Sequence, residues 1–360
     1  MGPDEQPHRD VGRQRVAVLG AGSWWTAPAL SLAGAGHGVA LWARRPEAAE
    51  AIRRSRENAA YLPGARLPEA VAVTSDIGAA VEGAGAWVVA VPSQSVRAVV
   101  GPLAGRAAGA TVVSVAKGIE NGTLLTTSGV LRDALPEAEP SRVGVLYGPS
   151  HAEEVALGRP TSVVAAFPDA EVAARVQALF MTPALRVYAN NDLVGVEVGG
   201  SVKNVMALAV GMADGLGLGD NAKAALVTRG LAEVTRLGLA LGADAHTFAG
   251  LAGLGDLVVT CFSRHSRNRA FGERVGRGET VEAALGASPM IVEGVRTTES
   301  VRALARRHGV EMPITEAVWA ILFGGLAPAR AVRALMERDP KLEGPPDGAA
   351  GGPAFDGTEA

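Results

Sequence analysis

Lysine is scarce in this chain. It occupies four of the 34 basic positions, Lys117, Lys203, Lys223 and Lys341, and arginine fills the rest. Lysine can give up its proton, whereas arginine stays charged. A lysine kept against this bias marks a place that arginine cannot fill. Lys117 stands in SVAKGIE and Lys203 in VKNVMALAVGMADGLGLGD, both glycine-bearing and motif-like. Chance retention is the plain alternative. Further polar clusters are VPSQSVR, YGPSHAEEVALGRPT, GLAGLGDLVVTCFSRHSRN and IVEGVRT. The six histidines show no ligand-pair spacing, and neither H-E-x-x-H nor a cysteine cluster occurs, so no metal is expected. His151, His265 and His308 read as surface or site-lining residues.

A second chemistry-bearing stretch is VAVLGAGSWWTAPALSLAGAGHGVALWARR, residues 16 to 45. An apolar run precedes Gly20 and Gly22. Gly20 permits a tight turn, and Gly22 lets the backbone approach a pyrophosphate. The helix that follows offers free N–H groups to phosphate. An ordinary glycine turn is the bland reading. Position 25, where the dinucleotide fingerprint has its third glycine, holds Trp25, and Pro28 follows. Trp25 is expected to push helix and strand apart unless its ring turns outward. Pro28 cannot donate to the carbonyl of Trp24. Thr26 and Ala27 are small enough to take over the close contact. Where an NAD site usually carries Asp or Glu, this chain has Arg44 and Arg45. Two guanidinium groups suit the 2′-phosphate of NADP(H), while Glu47 keeps NAD(H) open and solvated surface arginines remain the alternative.

These residues need elements to position them. From 15 to about 147, short β-branched runs (VAVLG, VALWA, VAVT, AWVVAVP, TVVSVA, VGVLYG) alternate with alanine-rich stretches. SVVAAF and LRVYAN follow as two further runs. Such alternation reads as a mainly parallel, Rossmann-like α/β sheet covered by helices. After about 191 helical periodicity takes over, as in TRGLAEVTRLGLALGA and VRALARRHGV. The division expected is a flexible N-terminus at 1–14, a dinucleotide-binding domain at 15–190, an all-helical substrate domain at 191–341 and a disordered Gly/Pro/Ala-rich tail at 342–360.

Composition sets outer limits. A net charge of −3 gives nucleic acid no support as a bulk partner. No uninterrupted apolar run approaches the ~20 residues of a membrane span, so no stable membrane insertion is expected. One cysteine, Cys261, excludes an intrachain disulfide and fits a reducing, cytoplasmic location.

Taken with GAGSW and WARR, the polar clusters resemble those of the bacterial-type NAD(P)-dependent glycerol-3-phosphate dehydrogenases. The resemblance runs from about 15 to 341 and is most specific around Lys203 and from Asp256 to Asn268. It implies a Rossmann domain followed by a helical domain. It also implies reversible reduction of dihydroxyacetone phosphate to sn-glycerol 3-phosphate, supplying phospholipid synthesis. A homodimer is left open. By resemblance, Ser23, Trp24, Arg44, Arg45, Lys117, Ala152, Arg267, Ile291 and Glu293 contact the cofactor with the Gly20–Gly22 loop. Lys117, Gly148, Ser150, Lys203, Asp256, Ser266, Arg267 and Asn268 contact the phosphorylated substrate, with Lys203 as proton acceptor.

The chemistry agrees with these implied roles. Oxidising an alcohol needs a hydride acceptor and a base. A lysine serves as that base if burial or a neighbouring cation such as Lys117 lowers its pKa. Asp256 orients Lys203, holds a substrate hydroxyl, or simply caps a helix after Gly255. Ser266, Arg267 and Asn268 offer three kinds of donor in consecutive positions, a grip suited to phosphate if they open a helix. A carbonyl-capping Lys203 and a surface ion pair at Arg267 are the structural alternatives. A catalytically weak, ligand-binding or regulatory copy is the second functional reading, and it rests on Trp25 and Pro28 alone.

Overall fold

The computed structural model describes residues 12–287 and 290–340, without the side chains of Ser23 and Trp25. The tail expected at 342–360 and most of the expected flexible N-terminus lie outside the described residues. Arg13 and Gln14 are already tied down, through Arg13 Nε to the carbonyl of Gly36 and Gln14 N–H to His37 Nδ1.

Eight strands form one sheet in the order β3-β2-β1-β4-β5-β6-β7-β8. They are β1 (Arg15–Leu19), β2 (Gly38–Trp42), β3 (Val71–Thr74), β4 (Ala86–Val89), β5 (Thr111–Ser114), β6 (Val143–Tyr147), β7 (Thr161–Ala166) and β8 (Leu185–Asn190). All neighbours pair in parallel except β6 and β7. Every run read from the sequence as a strand is therefore a strand. The inner strands are mostly apolar because helices cover both sheet faces, as a parallel sheet requires. The covering helices are α1 (Ser23–Gly34), α2 (Pro46–Ser55), α3 (Ile77–Val81), α4 (Val96–Val100), α5 (Thr127–Ala134), α6 (Ala152–Ala156) and α7 (Ala170–Phe180). The chain crosses from β3 back to β4 beside β1. This topological switch opens a crevice at the carboxyl ends of the strands, where ligands of such sheets bind.

Beyond Asn190 the described chain is helical. Its elements are α8 (Leu193–Gly215), α9 (Gly219–Ala240), α10 (Ala245–Ala249), α11 (Asp256–Phe262), α12 (Arg267–Gly276), α13 (Val281–Gly286), α14 (Glu293–Arg307), α15 (Pro313–Gly324) and α16 (Pro328–Met336). The centre of this half is α8. Among the described residues it is the one helix long and apolar enough to cross a membrane, and 89% of its most apolar stretch is buried in the protein. Its glycines admit α12: a Cβ at Gly211 would stand 2.1 Å from the carbonyl oxygen of Arg269. The reciprocal glycine on α12, Gly276, would place one 2.3 Å from that of Met212. Glycine costs a helix roughly 0.5–1 kcal/mol relative to alanine, which close packing of the two backbones offsets here.

Pro28 does not break α1. The helix runs through it, from N-cap Gly22 to Gly34. Thr26 and Ala27 are fully buried, so small residues do take the tight contact. A residue that sequence reading overlooked secures this turn. The amide of Asn58 donates to Ala21 O and to Thr26 Oγ1, both at 2.9 Å. Thr26 Oγ1 in turn donates to Gly22 O at 3.1 Å.

Candidate active site

The loops after β1, β4, β5 and β6 and the first turns of α12 and α14 surround a cleft of about 280 Å³. Gly22, Trp24, Lys117, Ser150, Ala152, Lys203, Ser266, Arg267, Asn268, Ile291 and Glu293, all singled out from sequence, line it. Gly20, Gly148 and Asp256 sit directly behind this lining. Arg44 and Arg45 do not line it; they are exposed at the carboxyl end of β2, with Arg45 as N-cap of α2.

The sheet side is made mostly of backbone. Gly20 has φ +136° and its N–H donates to Trp42 O, geometry that favours glycine. After Gly22 the first N–H groups of α1 lack helical partners, as at any helix start. Trp24 borders the cleft with its indole Nε1 buried and without a hydrogen-bond partner. Gly148 also has positive φ, +141°, and a Cβ there would meet Val163 Cα at 2.9 Å. Its carbonyl is thereby aimed at the cleft floor, where it accepts from Lys117 Nζ and Ser150 Oγ, each at 2.9 Å.

The helical side contributes charge. α8 carries Lys203, 7% exposed, and α11 begins at Asp256, 1% exposed. Asp256 does not cap α11; Gly255 is the N-cap, and the carboxylate faces the lysines. Its Oδ1 accepts from Lys203 Nζ and its Oδ2 from Lys117 Nζ, the latter at 2.6 Å. Thr260, one turn along α11, accepts from Lys203 Nζ at 2.9 Å and donates to Asp256 O at 2.6 Å. Burial pushes the Lys203 pKa down from the usual lysine value to about 7, Asp256 opposes that fall, and Lys117 adds to it. Both sources of depression anticipated from sequence operate, with desolvation the larger.

Ser266, Arg267 and Asn268 do open a helix. Ser266 caps α12 by accepting from Arg269 N–H at 3.2 Å. Arg267 is exposed and reaches Ile291 O at 3.1 Å instead of a surface carboxylate. The Asn268 amide is already engaged. It donates to Asn204 Oδ1 at 3.0 Å and accepts from Gly294 N–H at 2.9 Å, knitting α12 to α8 and α14. Glu293 opens α14, and burial raises its pKa against the opposing pull of Arg267. It accepts from Ser93 N–H at 3.4 Å. Ile291 is 55% exposed at the rim.

Sequence reading missed Thr260, Asn204 and Tyr61 among the lining residues. The four-residue spacing of Thr260 from Asp256 is the one signal that could have found it, since such a pair shares a helix face. His151 and His265 are site-lining, with ring centroids 5.7 Å apart, and burial lowers the His151 pKa. His308 is exposed at the end of α14. Among the described residues no group of three or more His, Cys, Asp or Glu side chains could hold a metal ion.

Two family models match the chain. One, described as the N-terminus of NAD-dependent glycerol-3-phosphate dehydrogenase, covers residues 15–173; the other, its C-terminus, covers 192–333. The chain is 56% identical over 329 residues to glycerol-3-phosphate dehydrogenase [NAD(P)+] 1 of Salinibacter ruber, spanning 91% of this chain and 96% of that protein. With the corresponding protein of Moorella thermoacetica, identity is 54% over 329 residues, again 91% and 96% of the two chains. Among solved structures, glycerol-3-phosphate dehydrogenase from Coxiella burnetii superposes with a TM-score of 0.85 at 39% identity, over 92% of this chain and all of that one.

Proposed function

The chain belongs to the NAD-dependent glycerol-3-phosphate dehydrogenase family, and from that premise we propose how its own residues carry out the reaction. It is an NAD(P)-dependent glycerol-3-phosphate dehydrogenase, interconverting dihydroxyacetone phosphate and sn-glycerol 3-phosphate. The observation that carries the division of labour is the buried Lys117–Asp256–Lys203 cluster at the cleft floor. The boundary between a dinucleotide-binding part and a substrate part is proposed near residue 190, where strand gives way to helix.

The residues present fit a nicotinamide dinucleotide. The Gly20–Gly22 turn and the start of α1 supply N–H donors for a pyrophosphate, and the buried indole Nε1 of Trp24 awaits an acceptor. Ser23, whose side chain is not among those described, Ala152, Ile291 and Glu293 complete the proposed cofactor wall. Arg44 and Arg45 stand where a 2′-phosphate would be read, which supports NADP(H) alongside NAD(H). The cofactor, when bound, accepts or supplies the hydride.

Lys203 moves the proton. With its pKa near 7, it is readily available in either protonation state at neutral pH. As a neutral amine it has two N–H donors, which Asp256 and Thr260 accept, leaving its lone pair for the substrate hydroxyl. In the reductive direction its ammonium form returns a proton to the forming alkoxide, and Lys117 polarises the carbonyl. Gly148 and Ser150 border the substrate, and Arg267 grips the phosphate at the start of α12. With Ser266 and Asn268 held by structural hydrogen bonds, Arg267 carries most of that grip. Cys261 is buried and unpaired, in keeping with the proposed cytoplasmic setting. The test compares substrates. Arg267→Ala should raise KM for dihydroxyacetone phosphate roughly tenfold or more, while the weak reduction of unphosphorylated dihydroxyacetone stays unchanged. Equal losses on both would remove the phosphate from the role of Arg267.

A further inference from the structure

Behind the cleft lies a second, largely buried polar cluster, with no part in the reaction just described. Glu197 sits on α8 six residues before Lys203 and is 2% exposed. Its carboxylate takes four hydrogen bonds from the start of α5. Oε2 accepts from Ser128 Oγ at 2.6 Å and Thr126 Oγ1 at 2.8 Å. Oε1 accepts from Ser128 N–H at 2.8 Å and Thr127 Oγ1 at 3.2 Å. Thr127 shares its one hydroxyl proton between Glu197 and the phenol oxygen of the fully buried Tyr147, 2.9 Å away, because that phenol donates its own proton to Ala116 O. Ala116 immediately precedes Lys117.

The ring of Tyr147 is as constrained as its hydroxyl. The Lys117 ammonium lies 5.6 Å from the ring centroid, on a cation–π platform. The ring also abuts α8 at Gly200, where a Cβ would stand 2.5 Å from Cδ2. Gly200 is three residues before Lys203, so Tyr147 is wedged between the segments bearing the two lysines. A buried carboxylate costs several kcal/mol to desolvate unless well hydrogen-bonded, and burial raises the pKa of Glu197. All four of its donors lie on the sheet side of the molecule, so its hydrogen bonds join α8 to the sheet half.

We propose that Glu197 and Tyr147 are positioning residues that hold Lys117 against Asp256 and thereby deny Lys203 sole use of that counter-ion. The proposal rests on the reading of Lys203 as the proton-transferring group. The charged and titratable groups around Lys203 are Asp256 and Cys261 on α11, Lys117 after β5, His151 after β6 and Glu293 on α14. If Lys117 swings away, Lys203 loses a like charge nearby and gains the whole of Asp256. Both changes favour its protonated form.

The experiment follows Lys203 by two independent readouts, for wild type, Tyr147→Phe, Glu197→Ala and Glu197→Gln. One is the acid limb of kcat/KM for glycerol 3-phosphate oxidation, which requires neutral Lys203. The other is pH-dependent acetylation of Lys203 by acetic anhydride, read by mass spectrometry, which requires no turnover. In Tyr147→Phe and Glu197→Ala both midpoints should move up together by roughly one pH unit. Glu197→Gln keeps an acceptor for Ser128 N–H and offers its amide to the hydroxyls, so it should stay near wild type. Unchanged midpoints in Tyr147→Phe, whatever happens to its melting temperature, would overturn the proposal. Tyr147→Phe nearly preserves volume, so it decides the matter even if Glu197→Ala does not fold. A wild-type labelling midpoint that fails to match the rate limb would instead sink the proton role of Lys203, and the labelling shift would still test the positioning.

Discussion

The cradle at the start of α1 and the ionic cluster beneath Lys203 border the same cleft and are built in opposite ways. The cradle is backbone. Gly20 sets the turn, Gly22 caps the helix, and Asn58 pins the loop from outside. The cluster is side chain. Lys203, Asp256 and Thr260 come from two packed helices, and their chemistry depends on burial that no single residue creates. A backbone site tolerates substitution beside it, so a tryptophan and a proline can enter α1 without interrupting the helix. A buried charge cluster tolerates almost none, because each member is the counter-ion or the acceptor of another.

That contrast ranks the expected effects of substitution. Asp256→Asn should be the most damaging. It leaves Lys117 and Lys203 facing each other without a carboxylate. Lys203 then loses the counter-ion that holds it for proton transfer, so kcat should fall by about the 10²–10⁴ that general acid–base catalysis contributes. Removing one partner of a buried pair also costs ~3–5 kcal/mol of stability, visible as a lower Tm. An Asp256→Asn enzyme with near-normal kcat and Tm would mean that the cluster is as tolerant as the cradle.

Arg44→Ala with Arg45→Ala should have an intermediate effect, confined to one ratio. The ratio of kcat/KM with NADPH to that with NADH should fall roughly tenfold or more, since a hydrogen bond to a charged group is worth ~1.5–3 kcal/mol. NADH use should be nearly unaffected. An unchanged ratio would separate these exposed arginines from the cofactor.

The smallest effect is expected at Pro28. Pro28→Ala restores an N–H donor for the carbonyl of Trp24 inside α1 and should raise stability by about 1–3 kcal/mol, with NADPH binding unchanged or slightly tighter. A lower Tm would show that the buried proline ring is part of the core, and that the cradle too depends on side-chain fit.

The same contrast explains what was legible in the sequence. Local signals carried far. The β-branched runs became β1 to β8, the G-x-G turn became the N-cap of α1, and Ser266 to Asn268 opened α12. The position of Lys203 was readable because lysine is rare here. Its pKa was not, since that depends on α11 and the loop after β5 closing over α8. Asn58, Thr260 and Tyr147 act across 32, 57 and 31 residues of sequence, through contacts that leave no periodicity in the chain. The glycines of α8 are poor helix formers by propensity, and only the fold shows that they let α12 approach it.

The central claim is that Lys203 moves the substrate proton while the cofactor site stands apart from it. Lys203→Met keeps the aliphatic stem and leaves Asp256 paired with Lys117. NADPH binding to this variant, followed by protein fluorescence quenching, should match wild type within about twofold, while kcat for dihydroxyacetone phosphate reduction falls about 10²–10⁴. Wild-type kcat in Lys203→Met, or loss of NADPH binding equal to the loss of turnover, would contradict the account.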